Sequence, residues 1–300
     1  MNIQSFKLNI KILKSNHIDY QENKFKKITI KKKIGEGSYG LVFLIENDFV
    51  IKIFKNSTES NTILNESNYL IPIKNENREL IFFYKHIHHK LKKNYIINLN
   101  AIGVTKDILI DKDNVYELNS YFIILPLCIP FYEIFNIWNI PLIDKKDGIV
   151  FTIGVMKRLI EISYFIENKY NIVNLDFKLN NFMFKRKSNN LNDLIMIDFS
   201  IIKKNNGKNT FDYNDFYYIW PNTNKQNIDI IPSYSICING LELLFGRNEI
   251  LELLNDNKIK ELLKIIELKN KNIYTIFYNG LILKINTKNF LNLINKIFIH

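Results

Sequence analysis

The chain has 300 residues, 47% of them apolar and 13% aromatic, which is enough to bury a large core and excludes a disordered segment. Ten glycines and six prolines exclude a collagen-like or linker-dominated architecture, and two cysteines, Cys128 and Cys237, exclude a disulfide scaffold. The formal charge is +11, but isoleucine at about 18%, asparagine at about 15% and a single alanine, Ala101, mark a codon bias that also enriches lysine, so nucleic acid is not expected as the main ligand.

Residues 1–27 are polar and irregular and are expected to form an extension or a capping strand. They lack the apolar core of a secretory leader. From Ile28 to Phe54 the pattern is strand-like, with Leu41–Ile45 and Phe49–Phe54 flanking the turn Glu46-Asn47-Asp48. Residues 74–93 place Leu80, Phe83, Ile87 and Leu91 at helical spacing. Residues 95–125 return to strands. The apolar stretch Tyr121–Tyr132 is broken by two prolines and is too short to span a bilayer, so no membrane span is expected and the protein is placed inside the cell. Ile149–Tyr170 is a long candidate helix, followed by short apolar runs at 172–175 and 194–197. From Pro232 to His300 the chain reads as mostly helical. A β-rich first third and a helix-rich remainder, divided near Pro126, predict an α+β protein of two lobes.

Four motifs carry chemistry. Gly35-Glu-Gly37-Ser-Tyr-Gly40-Leu-Val42 has the form G-x-G-x-x-G-x-V. A dinucleotide fold would need a helix directly after the third glycine, whereas here a hairpin follows, whose glycines let backbone amides close over a triphosphate. Lys52 sits inside the apolar run of the second strand, where an ammonium is costly unless partnered, and phosphate contact is the better reading than an outward strand residue. Asp176-Phe-Lys178-Leu-Asn-Asn181 fits D-x-K-x-x-N, and Asp198-Phe199-Ser200 begins 17 residues after Asn181.

In this order and setting the four motifs resemble the protein-kinase superfamily over Ile34 to about Gly246. The resemblance implies a bilobal kinase-like fold, with residues 1–27 as an N-terminal extension, 28–125 as a small β-rich N-lobe and 126–300 as the hinge and a larger helical C-lobe. It implies ATP and Mg²⁺ as cofactors and protein substrates as partners. Asp176 would accept or orient the substrate hydroxyl proton and Lys178 would neutralise the transferring phosphate. Asn181 and Asp198 would hold Mg²⁺, whose hard charge prefers oxygen ligands. Lys52 would touch the α and β phosphates and pair with a helix glutamate, Glu79 in preference to Glu66. Adenine would lie at Leu125-Pro126-Leu127-Cys128 against Ile34, Val42 and either Met183 or Ile197, with Leu127 among the contacts. Lysine two residues after the catalytic aspartate is the serine/threonine pattern. The short hairpin, the Leu-Pro-Leu hinge and Asp-Phe-Ser look like divergent kinases of large DNA viruses, the poxvirus type, which implies the host-cell cytoplasm.

The sequence also departs from the family. Asn174-Leu175-Asp176 stands where the family has His-Arg-Asp, Ser200 replaces the glycine of Asp-Phe-Gly, no Ala-Pro-Glu occurs between 200 and 232, and Pro232 aligns with the aspartate that opens the central helix. These read as losses of scaffold and regulation, since Lys52, Asp176, Lys178, Asn181 and Asp198 are all present. The alternative is a catalytically silent kinase fold acting as a binding or regulatory module. With Leu175 in place of the phosphate-docking arginine, activity is not expected to need phosphorylation of Thr210.

Overall fold

The computed structural model describes residues 6–15, 26–37, 40–54, 95–97, 100–105, 108–111, 114–117, 121–137, 140–185, 188–199, 202–204, 228–247, 250 and 256–298. The chain divides into two compact units, Met1–Cys128 and Ile129–His300. The helix expected at 74–93, the candidates Glu79 and Glu66, Ser200 and Thr210 lie outside the described residues.

The first unit is built on a closed antiparallel barrel. Its strands are β1 (Phe6–Ser15), β2 (Lys26–Gly37), β3 (Gly40–Ile45), β4 (Phe49–Phe54), β5 (Ala101–Thr105) and, after a small hairpin of β6 (Ile108–Asp111) and β7 (Asn114–Glu117), β8 (Tyr121–Pro126). The order around the barrel is β1-β2-β3-β4-β8-β5, closed by pairing of β5 with β1. Alternation sends Leu8, Ile10, Ile12, Ile30, Leu41, Phe43, Ile45, Ile51, Ile53 and Phe122 inward, where they form one core. β1 lies within the stretch expected as an extension or capping strand. It is a full member of the barrel, because Leu8, Ile10 and Ile12 alternate with polar residues as a half-buried strand requires. Gly103 permits the closure: a side-chain carbon there would collide with the Lys11 carbonyl and the Phe122 ring.

The second unit opens with the short strand β9 (Cys128–Pro130), which begins at the unit boundary, and α1 (Phe131–Phe135). The 23-residue helix α2 (Gly148–Tyr170) follows, then β10 (Ile172–Asn174), β11 (Phe182–Lys185), β12 (Leu194–Met196) and β13 (Ile202–Lys204). Four helices complete it: α3 (Ile231–Phe245), α4 (Asp256–Lys269), α5 (Lys271–Leu281) and α6 (Thr287–Phe298). Pro232 sits in the first turn of α3, where a missing backbone donor costs nothing, and Gly246 ends the helix at φ 92°. Residues 228–245 are long and apolar enough to cross a membrane, and more so than the Tyr121–Tyr132 stretch singled out from the sequence, yet 83% of that span is buried inside the protein. It is the central core helix, against which α2 and α5 pack.

A partly buried carboxylate ties three elements of this unit. Glu167 on α2 accepts hydrogen bonds at Oε1 from Ser163 (3.0 Å) and from Thr287 at the start of α6 (2.6 Å). Thr287 Oγ1 also lies 3.1 Å from the Asp229 carbonyl, so a protonated Glu167 could donate to Thr287 while the hydroxyl donates onward. Burial, reinforced by the Asp229 charge, pushes Glu167 up to about 7, against the hydrogen bonds that pull it down. The folded state therefore holds this proton more tightly than the unfolded chain, and stability falls as pH rises from about 4.5 through about 7. Glu167→Gln keeps the shape without the charge. It is expected to match the parent in thermal melts at pH 4 and to exceed it at pH 8 by on the order of 3 kcal/mol; equal melting curves at both pH values would refute the argument.

Candidate active site

In the first unit the glycine motif spans the β2–β3 hairpin. The register pairs Gly35 with Val42, Glu36 with Leu41 and Gly37 with Gly40, and Val42 in turn faces Lys52 on β4. Opposed residues share a face, so Gly35, Val42 and Lys52 line one outer side of the barrel. The Lys52 ammonium lies 5.6 Å from the centroid of the Phe54 ring. Ile34, next to the motif, is 42% exposed.

The three described glycines have different reasons. A side-chain carbon on Gly40 would come within 2.7 Å of the Ile53 carbonyl oxygen, so packing requires glycine there. On Gly35 it would meet only Val42, at 3.8 Å, an ordinary contact, so the fold does not require glycine at that position. Gly37 pairs with Gly40 at the hairpin's end. Gly40→Ala is expected to cost about 1–3 kcal/mol in a denaturant melt, and Gly35→Ala less than about 1 kcal/mol. A reversed order of the two would overturn this division.

In the Leu125–Cys128 segment one backbone donor is already taken. The Leu127 N–H donates to the Asp48 carbonyl at 2.8 Å, so that donor is engaged inside the first unit and is not offered to a base. The residue named for adenine contact thus braces the β3–β4 turn, where Asp48 adopts φ 60°.

The second unit gathers the polar groups of the D-x-K-x-x-N motif into one network. Lys178 Nζ donates to Asp176 Oδ2 at 2.8 Å, and Asn181 Nδ2 donates to the same oxygen at 2.9 Å and to the Asp176 carbonyl at 2.8 Å. The Asp176 side chain is 17% exposed and that of Lys178 is 33%, so the pair faces solvent only in part. With its nitrogen committed to Asp176, Asn181 can present its amide oxygen as a ligand. The Ile197 N–H bonds the Asn181 carbonyl at 3.0 Å, which brings the segment carrying Asp198 alongside. An amide oxygen and a carboxylate are the hard donors that Mg²⁺ takes.

Two amides that the sequence reading treated as signs of loss, or passed over, hold this network. Asn174, 2% exposed, accepts from the Asp176 N–H at 2.8 Å and donates to the Asp198 carbonyl at 2.8 Å. It spans the two acidic segments, so the missing histidine is not a missing brace. Asn239, fully buried on α3, accepts from the Leu179 N–H at 2.8 Å and donates to the Phe177 carbonyl at 2.7 Å and the Ser235 carbonyl at 2.6 Å. It grips the backbone on both sides of Lys178 from two helical turns beyond Pro232. The buried guanidinium of Arg158 on α2 adds a third brace, donating to the Leu194 carbonyl (3.2 and 3.0 Å) and the Asn192 carbonyl (2.5 Å) beside β12. Leu175, where an arginine would dock a phosphate, is instead buried in a cluster with Val173, Ile228 and Ile231.

A cavity of about 490 Å³ adjoins the loop, within the second unit. Leu179, Asn180 and Met183 form one side and Pro130–Glu133 with Asn136 the other. Of the two residues considered for an adenine floor, Met183 lines it.

No protein-family model matches the chain, and no curated protein matches it in sequence. Among solved structures, the ROP18 kinase domain in complex with AMP-PNP and sucrose is similar to it, with a TM-score of 0.65 over 97% of this chain and 84% of that one. The chain has a protein-kinase-like fold. At 9% identity the likeness reaches no further than the fold. The kinase-like fold here runs from a β-rich N-terminal part to a helical C-terminal part, as the α+β reading expects.

Proposed function

We propose that this protein is an ATP- and Mg²⁺-dependent kinase that transfers the γ-phosphate of ATP to serine or threonine hydroxyls of other proteins. The observation that carries the reading is the Asp176–Lys178–Asn181 network, joined through Asn174 to the backbone of Asp198. Phosphoryl transfer asks little covalent chemistry of a protein. It asks for position and for compensation of charge. Asp176 receives or orients the proton of the attacking hydroxyl. Lys178, already beside that carboxylate, moves charge compensation onto the transferring group. Asn181 and Asp198 would hold Mg²⁺ through two oxygen ligands, and its charge would offset that of the phosphates. Lys52 contributes the positive charge for the α and β phosphates. Gly35, which packing leaves free to be any small residue, is explained by close approach of a phosphate to the hairpin backbone. The cavity over Leu179, Asn180 and Met183 would take the sugar and base end of the nucleotide. The ROP18 kinase domain holds an ATP analogue, in keeping with this assignment.

The serine/threonine choice rests on Lys178. The likeness to divergent kinases of large DNA viruses, with its cytoplasmic setting, rests on the short hairpin, Leu125-Pro126-Leu127 and Asp198-Phe199-Ser200. The test is transfer of labelled phosphate from ATP to generic basic and acidic proteins, with Lys52→Met as the control. Transfer by the native chain and none by the variant is the expected result. Saturable AMP-PNP binding with no transfer to any acceptor would instead identify a silent kinase fold that serves as a binding module.

A further inference from the structure

The positive charge is not spread evenly. Residues 1–33 hold nine lysines against Asp19 and Glu22, a net of +7, which leaves +4 for the other 267 residues. A codon bias acts on the whole chain and does not concentrate lysine in one-ninth of it. The fold then places this excess on β1 and β2, which are neighbours in the barrel. Leu8, Ile10, Ile12, Ile28 and Ile30 point into the core, so alternation turns Lys7, Asn9, Lys11, Lys27, Thr29 and Lys31 outward.

The antiparallel register arranges these charges. Lys7 faces Thr29 and Lys27 faces Asn9, so no two of these lysines oppose each other directly, the placement in which like charges repel most. In this register Lys7 and Lys27 lie two residues, about 6.8 Å, apart along the strand direction; Lys11 continues β1 one residue past the last pair, and Lys31 continues β2 one residue past the first, at a bulge between Ile30 and Lys32. Lys7, Lys27 and Lys31 are exposed and Lys11 is half-buried. Among the described residues no carboxylate pairs with any of the four; the ion pair on β2 is Lys33 with Glu36, towards the hairpin tip.

We propose that the outer face of β1–β2 is a docking strip for an extended acidic peptide segment of a partner protein. A peptide in β conformation presents alternate side chains to one side at the same repeat, so Asp or Glu at every second position meets Lys7 and Lys27 in turn, with Lys31 and Lys11 flanking them. The described outward side chains are lysine, asparagine and threonine. They offer no arginine fork and no aromatic platform, the groups that hold nucleic acid strands, and no apolar residue to enter a bilayer. As a strip that selects acidic protein substrates the proposal rests on the kinase reading; as a peptide-binding strip it stands without it.

The test uses the full chain without nucleotide. Fluorescence anisotropy follows a labelled peptide of alternating Glu and Gly, a labelled oligothymidine of equal charge, and vesicles of mixed phosphatidylserine and phosphatidylcholine. The peptide is expected to bind, with affinity falling as salt rises. Combined Lys7→Glu, Lys11→Glu, Lys27→Glu and Lys31→Glu should weaken it at least about tenfold. The same charge change on the helices, Lys260→Glu, Lys264→Glu, Lys271→Glu and Lys288→Glu, should weaken it less than about threefold. Lys→Gln at the four strip positions replaces the reversal set if a thermal melt shows that set unfolded. No peptide binding, equal loss from both variants, or tighter binding of oligothymidine or vesicles through the same lysines overturns the proposal. Lys52→Met should leave peptide binding unchanged, so a chain that docks the peptide yet transfers no phosphate would fail the kinase reading alone.

Discussion

Asp176→Asn is expected to lower the rate of phosphate transfer by ~10²–10⁴-fold while leaving the fold in place. Asparagine can still accept from Asn181 at the position of Oδ2, and the bond from Asn174 goes to the backbone N–H of residue 176, which the change does not touch. What disappears is the negative charge: the base for the incoming hydroxyl and the partner of Lys178, 2.8 Å away. The side chain keeps 17% exposure, so the neutral form meets little penalty and the melting temperature should stay within a few degrees. Asp198→Ala should act differently, by removing a metal ligand, and its loss should not be restored by raising ATP alone. Initial rates and AMP-PNP binding measured side by side separate the two. A rate for Asp176→Asn above about one-tenth of the parent would sink the assigned role.

Asn239→Leu should be the most damaging single change to the loop from a distance. The amide uses both donors, to Phe177 and Ser235, and accepts once, from Leu179, which fills three of its four hydrogen-bonding positions. Leucine fills a similar volume but leaves the Leu179 N–H and the Phe177 carbonyl without these partners in a fully buried setting, at about 1–3 kcal/mol each. The expected result is a loss of several kcal/mol in a denaturant melt and, in the fraction that folds, a fall in kcat larger than the change in KM. Asn239→Asp discriminates further. One oxygen can still accept from Leu179, but the other faces two carbonyls at 2.7 and 2.6 Å and must carry a proton to sit there. This variant should therefore lose stability as pH rises through the range in which a carboxyl ionises, while Asn239→Leu should show no such dependence.

The elements that the sequence made visible are those whose pattern repeats. The helix expected from Ile149 is there because apolar residues recur on one stripe through Leu159 and Ile166, and the hairpin around Lys52 is there because two apolar runs with Val, Ile and Phe flank a three-residue turn. The Asp176–Asn181 spacing was legible for the same reason, since all its members lie within one loop. Asn174 and Asn239 were not. Asparagine is so common here that one more carries no signal, and Asn239 acts across about 60 residues of chain. Only burial distinguishes it, and burial is not written in one sequence. β1 was legible only as one of two alternatives, an extension or a capping strand: Lys7 through Ile12 alternates cleanly, but lysine and asparagine made the whole stretch look solvated. The Leu127 amide escaped because its partner is a carbonyl, which every residue has.

Closure of the barrel by β1 has a consequence for how the polypeptide is made and handled. The strand drawn from residues 6–15 must wait for residues 101–105 before its second side is satisfied, so the sheet-rich unit cannot seal itself until more than a third of the chain has left the ribosome. A protein shortened to begin at Ile28 would present β2 and β5 as two bare rims, each able to recruit the rim of another copy. Amino-terminal trimming that looks harmless on paper should then produce soluble oligomers or precipitate in place of monomer.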